Sequence, residues 1–85
     1  MPEQGAQQAL SISALRWRCR RGMVELDWML ERHLDRLSAE PEDAQSLSDL
    51  ATLLAEEDDN LWDWLSGRVM PPKHFQDIVQ RIRRR

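Results

Sequence analysis

With 85 residues, the chain can support one domain with a modest core, and is too short for two lobes around a deep catalytic cleft. It carries 12 Lys and Arg against 15 Asp and Glu, a net charge of -3, and its aromatic residues are four Trp and one Phe. No run approaches the roughly 20 apolar residues of a membrane span, the N-terminus lacks a secretory pattern, and the lone Cys19 cannot form an internal disulfide.

These features predict a cytoplasmic protein with no membrane insertion and, from its size, a binder rather than an enzyme. One cysteine cannot build a zinc site, and His33 and His74 lie too far apart to form a local ligand pair. The charge is segregated: between Leu37 and Arg68 stand nine acidic residues and no basic one, whereas both flanks are rich in arginine. Such polarity bears on the choice of partner and says little about fold.

Residues Met1 to about Ala9 are polar, contain Gly and Pro and have no apolar period, which predicts a flexible leader ahead of a single domain over residues 10–85. From Leu10 to Arg20, Ile12, Leu15 and Cys19 share one face of a short helix, with Ser11 as N-cap candidate and Arg16, Arg18 and Arg20 on the other faces. Gly22 then interrupts, able to take a left-handed conformation and let a second helix start at an angle.

From Met23 to about Leu37, Met23, Leu26, Leu30, His33, Leu34 and Leu37 recur mostly at three- and four-residue steps and predict the longest helix against the core. At about 100° per residue from Met23, Glu25 falls near 200° and Arg32 near 180°, both pointing away from that stripe. A roughly helical preceding turn would place Arg21 with them.

Ser38-Ala39-Glu40-Pro41 signals a third helix, continued by Ala44, Leu47, Leu50, Ala51 and Leu54 to about Glu56. The acidic run Glu56-Glu57-Asp58-Asp59-Asn60 closes it and offers capping charge to a short fourth helix, Leu61-Trp62-Asp63-Trp64-Leu65, which Gly67 can end. After the rigid Met70-Pro71-Pro72-Lys73 connector, Phe75, Ile78, Val79 and Ile82 mark a fifth helix. Nothing alternates with period two for long enough to form a strand. The expected fold is all-α, a compact five-helix bundle.

Four arginines between Arg16 and Arg21, with Trp17 among them, would suit phosphates and a stacked base. The overall negative charge, the acidic middle and the lack of a helix-turn-helix or zinc-finger pattern oppose that reading, so nucleic acid is not expected as a partner. Arg21 and Glu25, four apart, would by themselves make an exposed ion pair of about 0.3–0.5 kcal/mol. Gly22 between an arginine cluster and a helix start suggests more, because exposed backbone N–H groups beside a guanidinium can take a partner's carboxylate or phosphate.

The stretch Trp17-Arg18-Cys19-Arg20-Arg21-Gly22-Met23-Val24-Glu25-Leu26-Asp27 resembles the W-x-C-R-R-G-x-x-E-L-D segment of bacterial succinate dehydrogenase assembly factor 2 proteins, also called FAD assembly factors. Glu57-Asp58-Asp59-Asn60-Leu61-Trp62-Asp63-Trp64-Leu65 resembles the family's second, acidic-then-aromatic block, departing from it at Asn60, where the family pattern has Asp. The two blocks place the resemblance between about Leu15 and Ile82. It implies a small five-helix factor that promotes covalent attachment of FAD to the flavoprotein subunit of succinate dehydrogenase and, in bacteria, fumarate reductase.

The resemblance further implies that Arg21, Gly22 and Glu25 touch the flavoprotein near its FAD site, so that the client's own histidine reacts with the flavin. The factor would hold no FAD stably and would act on the client's. Arg20, Asp27 and Trp62 complete the expected partner-binding set, with no catalytic residue and no metal ligand. Some members of the family are also described as antitoxin components, and a nucleic-acid-associated or toxin-neutralising regulator using the arginine face is the alternative reading.

Trp62 and Trp64 lie about 160° apart on a helix, so Trp64 is expected in the core and Trp62 or Trp28 partly exposed. His33 is expected to be a satisfied core histidine, and Cys19 a small buried hydrophobe. Asp27 could cap, pair with an arginine of the first helix, or contact the client. The acidic run reads as a solvated, capped junction or as a means of recognising a basic client surface.

Overall fold

A computed structural model describes residues 11–39 and 44–84. The expected leader and the Glu40-Pro41 helix signal fall outside these residues. Among them are five helices and no strand: α1 (Ile12–Arg18), α2 (Val24–Ala39), α3 (Ala44–Leu54), α4 (Asp58–Leu65) and α5 (Lys73–Arg83).

Ser11 caps α1 as its side chain suggests, with Oγ accepting from the Ala14 amide at 3.1 Å. The helix stops at Arg18, earlier than the apolar spacing implied, and Cys19 is its C-cap. By contrast, α4 starts three residues before Leu61. Glu57 is its N-cap and Asp58 and Asp59 occupy its first turn, where negative charge opposes the positive end of the helix dipole. Gly67 follows α4 with φ +86°, its amide donating to the Trp64 carbonyl at 3.2 Å.

The longest helix, α2, packs against α1, α4 and α5, and α5 also packs against α3 and α4. Its stripe supplies Leu26, Leu30, His33 and Leu34 to the core, with Met23 and Leu37 at the margin. Leu15 and Cys19 come from α1, Phe75, Ile78, Val79 and Ile82 from α5. Each fully buried leucine contributes about 1.5–3 kcal/mol by leaving water. In α3 the buried set is Ser46, Leu50, Leu53 and Leu54, while Ala44 is exposed, so the pattern read from sequence missed Ser46 and Leu53. Trp64 is buried against Phe75 with ring centroids 5.4 Å apart, and Trp62 on the other side of α4 is half-buried against the core.

Candidate functional site

The link between α1 and α2 turns at Gly22, whose φ of +86° few residues other than glycine adopt without strain. A Cβ there would meet nothing within 4 Å, so the glycine serves the backbone and leaves open space outside. Asp27, in the first turn of α2, reaches back over this link. Its Oδ1 accepts the Arg21 amide at 2.8 Å and its Oδ2 the Gly22 amide at 3.2 Å.

Of the roles open to Asp27, the structure shows the cap on the turn. It also corrects the expectation of an anion site on exposed amides, because the carboxylate that fills those donors belongs to the chain itself. The two amides at the turn itself, those of Arg21 and Gly22, are thus satisfied from within.

Arg21 departs further from expectation. Its side chain is only 15% exposed and points inward, away from Glu25. Nε donates to Asp58 Oδ1 at 2.7 Å, Nη1 to the carbonyls of Arg18 and Leu54 at 2.9 Å each, and Nη2 to the Glu56 carbonyl at 2.7 Å. Four of its five guanidinium N–H groups are thus committed. The Arg21–Glu25 ion pair does not form, and the view of Arg21 as an outward-facing docking group is corrected: the negative end of α3 and the Asp58 carboxylate draw it in.

The same device recurs. Arg18 Nη2 donates to the Ala51 carbonyl at 3.1 Å, while the Thr52 and Leu53 carbonyls accept the amides of Ala55 and Glu56. Together with Leu54, all four final carbonyls of α3 therefore find donors. At the end of α5, Arg32 donates to the Ile82 and Arg84 carbonyls and Arg36 to those of Arg81 and Arg84. Arg32 does not project freely from α2 as its angle implied, and its guanidinium also stacks over Trp28, 4.5 Å from the ring centroid.

Of the arginine cluster, Arg18 and Arg21 are spent on α3, and Arg16 pairs with Asp35 at 2.9 Å. Arg20 remains 63% exposed, 3.9 Å from Glu31 and over Trp17 at 5.5 Å. A phosphate-binding face needs several free cations. Here the arginines mainly hold the helices together.

What the turn presents outward is Gly22, Val24 and Glu25. Glu25 is exposed and forms no hydrogen bond or ion pair among the described residues. Val24 is 86% exposed and Trp28, one turn along, 58%. Sequence reasoning missed Val24; its signal was an apolar residue four before a tryptophan, outside the buried stripe. Arg20, Arg21, Gly22, Glu25 and Asp27 thus gather in one turn, two of them facing inward. Trp62 lies elsewhere, on α4, one turn beyond Asp58 on the same face.

Two buried groups of the core are uncharged at neutral pH. Burial pushes the Cys19 thiol up to about 11, with Glu31 adding to the rise and Arg16 and Arg21 opposing it, which makes it a poor nucleophile. His33 is lowered to about 4 by burial and then by Arg36, Arg81 and Arg32. Its Nδ1 is buried without a hydrogen-bond partner, so it is a core histidine that is incompletely satisfied, correcting the expectation. Among the described residues no group of three or more His, Cys, Asp or Glu is placed to hold a metal, and no helix is long and apolar enough to cross a membrane.

Residues 13–85 match the family described as the flavinator of succinate dehydrogenase. The chain is 40% identical over 75 residues to the FAD assembly factor SdhE of Legionella pneumophila strain Lens, covering 84% of this chain and 89% of that one. The corresponding protein of Coxiella burnetii is 35% identical over 77 residues, covering 88% and 92%. That of Xylella fastidiosa strain Temecula1 is 43% identical over 73, covering 85% and 74%. No solved structure gives a significant match. Matched over nearly its whole length and similar throughout to these factors, the chain belongs to the succinate dehydrogenase flavinator family.

Proposed function

We propose that this chain is an assembly factor that docks on the flavoprotein subunit of succinate dehydrogenase and promotes covalent attachment of FAD. Family membership gives the process, and one observation supports the docking surface: Glu25 is an exposed carboxylate with no partner among the described residues, beside Val24 and Trp28, on a turn where Asp27 takes the Arg21 and Gly22 amides. An unpaired charge next to exposed apolar groups, on a braced backbone, loses little entropy on meeting a partner. The flavoprotein of fumarate reductase is a second client in this reading.

The factor is not itself an enzyme. Its thiol is buried with a raised pKa and its core histidine is buried among packed side chains, so neither can reach a flavin to attack it. FAD stays with the client, whose conformational population the factor shifts by binding one form better. It acts in the cytoplasm, and a buried, unpaired Cys19 agrees with a reducing compartment.

Purified flavoprotein subunit lacking covalent flavin is incubated with FAD, with and without the chain, then denatured and read for protein-bound flavin fluorescence. The yield is expected to rise with the chain present. Equal yields would contradict the function.

A further inference from the structure

Asp58 belongs to the acidic run between α3 and α4, yet its carboxylate does more than face the start of its own helix. Of the four acceptors around the Arg21 guanidinium, three are backbone carbonyls, from the end of α1, the end of α3 and the link after it. The fourth, Asp58 Oδ1 at 2.7 Å, is the one acceptor with a formal charge and the one that engages Nε, so it fixes the plane of the group as well as its place. At its other end the Arg21 backbone amide is held by Asp27 at 2.8 Å.

Arg21 is thus gripped at both ends, and the next residue is Gly22, which has little conformational preference of its own. Val24 and Glu25 open α2, whose axis the core fixes through the buried Leu26 and Leu30, so what the anchor holds is the link at Arg21 and Gly22 where the chain turns into that helix.

We propose that Asp58 is a positioning residue for docking: through Arg21 it holds the link into α2, and with it the Gly22 edge of the Gly22–Glu25 segment that the flavoprotein meets. The proposal rests on that segment being the docking surface. It gives a function to a residue 37 positions from Arg21 in sequence that need not touch the client at all.

The test measures affinity of the full chain for the purified flavoprotein subunit, together with amide hydrogen exchange along the chain, on variants whose helical circular dichroism matches the wild type. Asp58→Ala is expected to weaken binding about threefold to tenfold, less than the full value of a charge-assisted hydrogen bond because the lost bond lies within the chain and not in the interface. Asp58→Asn, which keeps an acceptor, should fall between it and wild type. Exchange should quicken at Gly22 to Glu25 and not along α5.

On an Arg21→Gln background, Asp58→Ala should add less than about twofold, because the two residues act as a unit. A full additional loss there would mean that Asp58 touches the client directly and would overturn the proposal. So would unchanged affinity of Asp58→Ala beside a weakened Glu25→Ala. Unchanged affinity of Glu25→Ala would instead contradict the docking surface itself.

Discussion

With φ at +86° and open space where a Cβ would stand, Gly22 is required by its backbone, so substitutions there carry two separable costs. Gly22→Ala should lower stability by about 1–2 kcal/mol through left-handed strain alone, read as a shift in the urea midpoint. Gly22→Arg should show similar strain and, in addition, place a long side chain over the proposed docking surface. Its flavin yield should therefore fall well below that of Gly22→Ala at matched folded fraction; equal yields would mean that the space outside Gly22 is not used. The need for glycine was legible from its place between two helical patterns. That Asp27 supplies the anion for the turn was partly legible, since an acid in a first helical turn commonly accepts backbone amides.

The helices were readable from apolar spacing, because three- and four-residue steps determine which side chains share a face. What joins their ends was not. The donors that close α3 come from Arg18 and Arg21, 33 residues from the carbonyls they reach, a distance that no local period encodes. An arginine outside the apolar stripe was therefore read as outward-facing, although Arg21 turns in to a helix end and Arg32 reaches the carbonyls at the end of α5. Arg21→Lys is a sharp check, because an ammonium retains charge without the planar fork that serves four acceptors. It should destabilise the chain by about 2 kcal/mol in urea unfolding, as carbonyls and the Asp58 carboxylate lose donors. A change below about 0.5 kcal/mol, the usual range for exposed surface positions, would contradict the anchoring role.

The assembled core makes stability depend on acid through His33. Its ordinary value of 6.5 applies to the unfolded chain, and the folded value is lowered to about 4. Between those values the unfolded chain binds a proton that the folded one excludes, so stability falls as pH falls, by about 3 kcal/mol across the window, and is fully present above pH 6.5. His33→Leu should abolish that component. The difference between wild type and variant in unfolding free energy, measured from pH 7.5 to pH 4, isolates it from the carboxylates, and a pH-independent difference would contradict a buried neutral histidine. The sequence placed His33 on the apolar stripe; the arginines that surround it come from α5 as well as α2, which spacing along α2 does not reveal.

On the proposed reading, an exposed turn held from behind by Asp27 and Asp58 presents Glu25 to a flavoprotein. The yield of covalent flavin on the purified subunit, with wild-type chain and with Glu25→Ala, puts this to the test. Because Glu25 has no partner among the described residues, the variant should match wild type in urea unfolding to within about 0.5 kcal/mol while its flavin yield drops toward that of the reaction without the chain. A yield equal to wild type, from an equally stable variant, would contradict it.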